Sequence, residues 1–326
     1  MSSSDVFSLM KVDSDSFNRW DKTQQVLLEE ILSISDTLKS RKTLPEVSLE
    51  VLEGLFSILR DPSLDSHFKS LALTLPSLDV LQQRDKDIDF KRLSRARRVI
   101  LEAFATKYSR ELLASYMSIS PSQDYQFEPG QVGARALRNC LLNYLGCMEI
   151  GESLAYGQFH GASNMTELYG SLKVMVGYSM KDSEKYLSQF FDRFKHDDLV
   201  IDAWFRLQAS SDHEDSLKTL KVLMKHPAYN RLNPNRARSV LGGFSLGNLP
   251  WFHEESGEGY QLFARELLLI DQKNPQIAAR LARGFGPYKR AASNVKEKAQ
   301  AVLKNIQGEA GISKDLFEVV QTLLKS

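Results

Sequence analysis

The stretch Leu137-Arg138-Asn139-Cys140-Leu141-Leu142-Asn143-Tyr144-Leu145-Gly146-Cys147-Met148 decides the fold. Its apolar residues Leu137, Cys140, Leu141, Tyr144, Leu145 and Met148 recur at i, i+3, i+4, i+7, i+8 and i+11, which lays them along one side of a helix. The same period appears in both directions along the chain. Val51, Leu52, Leu55, Phe56 and Leu59 form one stripe, Val295, Ala299, Val302, Leu303 and Ile306 another, and Leu316, Phe317, Val320, Leu323 and Leu324 a last one. No convincing run of alternating apolar and polar residues interrupts them, so the sequence predicts an all-α protein. Prolines punctuate the stripes at Pro45, Pro62, Pro76, Pro121, Pro129, Pro227, Pro234, Pro250 and Pro275, dividing the chain into roughly fifteen helices with short connections. The segment 118–126 is the best place for a seam between two halves.

Asn233-Pro234-Asn235-Arg236 and Asn274-Pro275-Gln276 each set an Asn before a Pro, the order of a helix cap followed by the first helical residue. The two lie 41 residues apart, inside the roughly 40–47-residue period of armadillo- and HEAT-type helix pairs. That spacing favours a curved stack of helix pairs over a closed bundle.

The 326 residues are 42% apolar and 25% charged, the composition of a chain that folds around a core. Since 42 Lys and Arg balance 41 Asp and Glu, no overall field draws the protein to nucleic acid or anionic lipid. No apolar run reaches the roughly 18 residues of a membrane span, and the polar opening Met1 to Asp5 shows no secretory signal. A cytoplasmic protein, or one of an organelle matrix, is expected. Cys140 and Cys147 are seven residues apart, about 10 Å along a helix, which is beyond the reach of a disulfide. They read as buried thiols of a reducing compartment.

Chemistry-bearing clusters are few. The six histidines are His67, His160, His196, His213, His226 and His253, and the closest two are thirteen residues apart. A zinc peptidase helix of the H-E-x-x-H type needs two imidazoles one turn apart, so that motif is absent. There is no G-x-S-x-G elbow and no P-loop, while a Cys–His or Ser–His pair distant in sequence stays open. Lys91, Arg92, Arg95, Arg97 and Arg98 form the densest basic cluster, either a phosphate or nucleic-acid patch or a solvated face paired with carboxylates. Glu254, Glu255 and Glu258 crowd the segment 252–260, either as a Ca²⁺ loop without EF-hand spacing or as a solvated turn. Gln276 and Arg280 stand four apart on the helix begun by Asn274-Pro275 and so point the same way. A guanidinium beside an amide suits a peptide carbonyl or carboxylate, and an exposed helix face is the alternative.

Several strings resemble the C-terminal helical domain of aminopeptidase N, the bacterial and plant-type alanyl aminopeptidases of the gluzincin class. In chain order they are Asp13-Ser14-Asp15-Ser16-Phe17-Asn18-Arg19-Trp20, Thr74-Leu75-Pro76-Ser77, Asn164-Met165-Thr166, Trp204-Phe205-Arg206-Leu207-Gln208-Ala209, Asn233-Pro234-Asn235-Arg236 with Arg238-Ser239, Phe252-His253 with Gly257-Glu258-Gly259-Tyr260, and Asn274-Pro275-Gln276-Ile277-Ala278-Ala279-Arg280. The resemblance implies one domain over 13–326 behind a short extension at 1–12, folded as a right-handed ARM/HEAT-like superhelix of stacked antiparallel helix pairs. It also implies that Gln276 and Arg280 are substrate-binding residues, Arg280 meeting the peptide and Gln276 lining the pocket of its N-terminal residue. The zinc motif, its downstream Glu ligand, the Gly-Ala-Met-Glu-Asn strand that binds the free amine and the catalytic Tyr of that family are absent, so no cofactor is expected in this chain and zinc belongs to the catalytic domain. Where the family runs a continuous helix, Gly284, Gly286 and Pro287 precede Lys289-Arg290, and the helix should break early.

Three functions follow as expectations. The first is the substrate-gating C-terminal domain of a zinc aminopeptidase, inactive alone, whose partners are the catalytic domain, in cis or in trans, and short peptides. The second is a stand-alone helical scaffold that binds a peptide or protein. The third, a nucleic-acid-binding repeat, rests on the basic cluster alone and ranks last.

Overall fold

Apolar stripes at helical spacing can only be buried against one another, and the computed structural model shows them doing so over the residues it describes, 15–40, 45–84, 87–119 and 125–325. Among these residues the secondary structure is helical throughout, apart from one isolated parallel bridge between Ile88 and Ala291. The extension 1–12 lies outside the described residues. Within the signature stretch, Leu137, Leu141, Tyr144 and Leu145 are buried, while Cys140 and Met148 are half-buried. The helix itself runs Pro129–Leu145, so Cys147 lies just past its end.

The chain divides into two compact units, one of residues 1–81 and 92–183, the other of residues 82–91 and 184–326. The expected seam at 118–126 contains residues 120–124, outside the description, and the helices on both its flanks, Ser109–Ser118 and Pro129–Leu145, belong to the first unit.

In the first unit the helix Ser66–Leu73 packs along Pro129–Leu145, and the Tyr144 hydroxyl donates to the Leu73 carbonyl at 2.6 Å. Asn164 caps Met165–Gly177 by accepting from the Glu167 amide at 3.0 Å, and its side-chain amide donates to the Glu167 carboxylate at 2.7 Å. The same carboxylate holds the buried Arg138 guanidinium at 2.7 Å.

In the second unit Arg236 is buried and forks between Asp198 at 3.1 Å and Asp202 at 3.2 Å, both on the helix Asp198–Ala209. After Pro234–Ala237 the backbone widens to a π-helical turn over Arg238–Gly242 and returns to α over Gly243–Gly247. Phe244, Phe252, Tyr260, Phe263 and Phe285 meet edge-on or tilted, with centroids 5.1–5.6 Å apart, around which the helix Glu258–Asp271 and the C-terminal helices are built.

Candidate functional site

Asn274 is non-helical (φ −145°, ψ 84°), and its side-chain oxygen accepts from the Ile277 amide at 3.2 Å, so the helix Pro275–Ala282 starts where the Asn-Pro pair says it should. Asn233 caps Pro234–Ala237 in the same way, accepting from Asn235 at 3.0 Å and Arg236 at 3.2 Å. The Pro275–Ala282 helix buries Ile277, Ala278, Ala279, Leu281 and Ala282 against Glu258–Asp271 and Lys314–Leu324. Gln276 and Arg280, one turn apart on the other side, are exposed.

The α-helix ends at Ala282, as the glycines and Pro287 imply, and tightens to a 3₁₀ segment over Arg283–Arg290. Gly284 is required there, because a Cβ would lie 2.3 Å from the Ser245 hydroxyl oxygen. The 3₁₀ segment ties down the end of the C-terminal helix. Tyr288 donates to the Leu323 carbonyl at 2.8 Å and Lys289 to that of Lys325 at 2.6 Å. At the other end Asp271 accepts from the Ser313 amide at 2.8 Å and from its hydroxyl, and Ser313 in turn caps Lys314–Leu324 through the Leu316 amide at 3.2 Å. Both helices are therefore fixed from the same turn, Asp271 to Asn274.

Between them lies an open cleft of about 610 Å³. Gln276, Arg280 and Arg283 line one side, Asp315 and Glu318 the other, with Ala279, Val319, Thr322 and Leu323 between. The sequence brings out Gln276 and Arg280, and the structure sets both in this cleft. Arg283, Asp315 and Glu318 escape the sequence reading. Arg283 continues the Gln276–Arg280 face one turn on, a spacing that could have found it. Asp315 and Glu318 sit on an amphipathic helix whose polar side reads like any solvated face. Replacing Asn274 by Ala removes the cap and should lower stability by about 1 kcal/mol, read as faster amide exchange at Ile277 with the Lys314–Leu324 helix unaffected.

The other candidates resolve into structural roles. Lys91 reaches Glu254 at 3.4 Å and lies 3.7 Å over the Trp251 ring. Arg92 donates to Ser35 at 3.2 Å, Arg95 pairs with Glu102 at 3.3 Å, Arg97 donates to the Pro76 carbonyl at 2.7 Å, and Arg98 donates to that of Gly177 at 3.2 Å. The basic cluster is thus spent on intramolecular bonds. In the acidic segment Glu254 accepts from the Ser256 amide at 2.9 Å, Glu255 accepts from Asn294 at 3.2 Å, and Gly257 turns the chain at φ +75°. That is a turn, and among the described residues no group of three or more His, Cys, Asp or Glu could hold a metal ion. The reading of Cys140 and Cys147 as buried needs correction, since both are free and half-buried. Burial nonetheless pushes both thiols up to about 11, which keeps them protonated and unreactive at neutral pH. No helix among the described residues is long and apolar enough to cross a membrane.

Comparison with known proteins places the chain in a helical-repeat family. The family profile described as "Domain of unknown function (DUF3458_C) ARM repeats" matches residues 3–325. The chain is 31% identical to Aminopeptidase N of Haemophilus influenzae over 98% of its own length and 37% of that protein's, and 30% identical to Aminopeptidase N of Escherichia coli over 97% and 36%. Among solved structures, that of Legionella pneumophila aminopeptidase A in complex with aspartic acid matches with a TM-score of 0.88 at 27% identity, covering 99% of this chain and 38% of that one. The chain therefore spans little more than a third of the relatives it matches.

Proposed function

Because this chain belongs to the DUF3458_C family of ARM-repeat domains and corresponds to the C-terminal helical domain of aminopeptidase N, we propose that it is the substrate-gating part of a zinc aminopeptidase that removes N-terminal residues from short peptides. The observation that carries this reading is the cleft. Arg280 stands on its wall with no side-chain hydrogen bond or ion pair to any described residue, beside the Gln276 amide, on a helix whose buried face and cap hold both in place. An unspent guanidinium next to an amide is suited to a peptide carboxylate or carbonyl. The chain's own residues do not fit zinc. It lacks H-E-x-x-H and, among the described residues, a group of three or more His, Cys, Asp or Glu; in this reading the chain binds and orients peptide, and hydrolysis belongs to a catalytic domain joined to it in cis or in trans.

The isolated chain should not hydrolyse an alanine anilide. In the complete enzyme Arg280→Ala should raise KM and lower kcat/KM roughly tenfold or more, the effect of losing a hydrogen bond to a charged group, without unfolding the domain. Hydrolysis by the pure chain, or an unchanged kcat/KM across several peptides, would show the assignment to be wrong.

A further inference from the structure

The cleft carries both signs of charge, and they do not neutralise each other. Arg280 and Arg283 lie along one wall and Asp315 and Glu318 along the other. Yet no side-chain hydrogen bond or ion pair joins Arg280, Arg283 or Asp315 to any described residue, and the side-chain pairing found at Glu318 is a loose 3.8 Å contact with Lys314 of its own helix. Opposite charges on facing walls attract each other. The separation persists because the walls are pinned at both ends, by Asn274 and Asp271 at one and by Tyr288 and Lys289 at the other. Between the charged walls, Ala279, Val319 and Leu323 give an apolar strip that strengthens whatever charge pairing a ligand makes.

A purely anionic ligand would be drawn to the guanidinium wall and repelled by the two carboxylates across the cleft. A purely cationic one would meet the reverse. A ligand that carries both charges a few bonds apart satisfies both walls. Resting on the peptide-binding role above, we propose that this cleft selects dipolar peptide ends, with a free C-terminal carboxylate against Arg280 and Arg283 and the cationic side chain of a lysine or arginine against Asp315 and Glu318. Asp315, Glu318 and Arg283 then set specificity, and Arg280 serves every peptide.

The test is isothermal titration of the 326-residue chain with the tripeptide Ala-Ala-Lys, the same peptide acetylated on the lysine side chain, and the same peptide as its C-terminal amide. The free N-terminus is common to all three. Acetylation and amidation should each weaken binding tenfold or more. In the double variant Asp315→Asn, Glu318→Gln the effect of acetylation should vanish while that of amidation stays. Equal affinity for the free and acetylated peptides, or a preference that survives the double variant, overturns the charge selection. If acetylation has no effect but Arg280→Ala still weakens both peptides alike, selection fails and the peptide-binding role stands. If no peptide binds, or Arg280→Ala changes nothing, both fail.

Discussion

Glu167→Gln should destabilise the first unit by about 3–5 kcal/mol, the cost of stranding a buried charge. Glu167 is 1% exposed and Arg138 9%, and the two form a charge-assisted bond of 2.7 Å. The amide keeps the size of the side chain but leaves the guanidinium with no anion. Beyond a neutral bond to the amide oxygen, its contacts are a 3.4 Å bond to the Tyr116 hydroxyl and the Tyr116 ring 4.8 Å away, while its Nε has no partner. Neither contact replaces a carboxylate in a dry site. Amide exchange along Met165–Gly177 and Pro129–Leu145 reports the loss locally, without assuming that both units unfold together.

A second variant separates stranded charge from lost packing. In Arg138→Met, Glu167→Leu both charges leave; the Asn164 side-chain amide loses its acceptor and the Tyr116 hydroxyl one donor, while the other bonds of the network remain. Tyr116 still donates to Gln158 at 3.1 Å, and Gln158 still donates to the Glu167-position carbonyl at 2.9 Å and to Asn139 at 2.7 Å. Asn164 still caps through the backbone amide. The double variant should recover most of the stability that the single one loses. If it is as unstable as Glu167→Gln, the pair holds the helices by shape and hydrogen bonding, and the charge account is wrong.

These networks explain why so much was legible from sequence. The strings that carry the family resemblance are mostly caps and packing positions, where the structure leaves little choice of residue. Asn164, Asn233 and Asn274 each cap a helix. Trp204 donates its indole N–H to the Leu187 carbonyl at 2.9 Å, and Arg236 bonds back to the helix that carries Trp204. Phe252, His253 and Tyr260 form one buried aromatic group. The helical period told which side of each helix is buried, but it could not foresee the π turn at Arg238–Gly242, which depends on how that stretch fits against Asp198–Ala209. The site divides the same way. Gln276 and Arg280 were visible because one helix carries both. Asp315 and Glu318 were not, because the cleft is made by two helices separated by the 3₁₀ segment and another helix, and sequence spacing says nothing across that interval.

The largest effect of pH should come from His253, which is 4% exposed and enclosed by Phe90, Phe252 and Tyr260 with ring centroids 4.8, 5.0 and 5.5 Å away. Its Nδ1 and the Tyr260 hydroxyl are 2.6 Å apart, and its Nε2 has no partner. A protonated imidazole must donate from both nitrogens, so charging it would leave one N–H bare in an aromatic core. Burial accordingly holds its pKa down to about 3, against the usual 6.5. The unfolded chain then binds a proton that the folded one refuses, and stability falls as pH drops below 6.5 until it reaches about 3. Each pH unit in that window costs about 1.4 kcal/mol. Burial lowers His213 and His226 as well and adds to the same slope, whereas it raises Asp79 and Asp202 above 3.8 and Glu266 above 4.5, which oppose the slope just above those values, inside the same window. The difference between the wild type and His253→Phe isolates the one group. Phe fits the aromatic surroundings but carries no proton, so the variant should gain on the wild type by about 3 kcal/mol between pH 6.5 and about 4.5. It starts from a deficit at neutral pH, because the Tyr260 hydroxyl loses its partner. Urea unfolding followed by the intrinsic fluorescence of Trp20, Trp204 and Trp251 across that pH range reads both terms. Parallel stability curves would mean that water or a shift of the Glu258–Asp271 helix lets His253 charge in place, and that the aromatic cluster is softer than its packing implies.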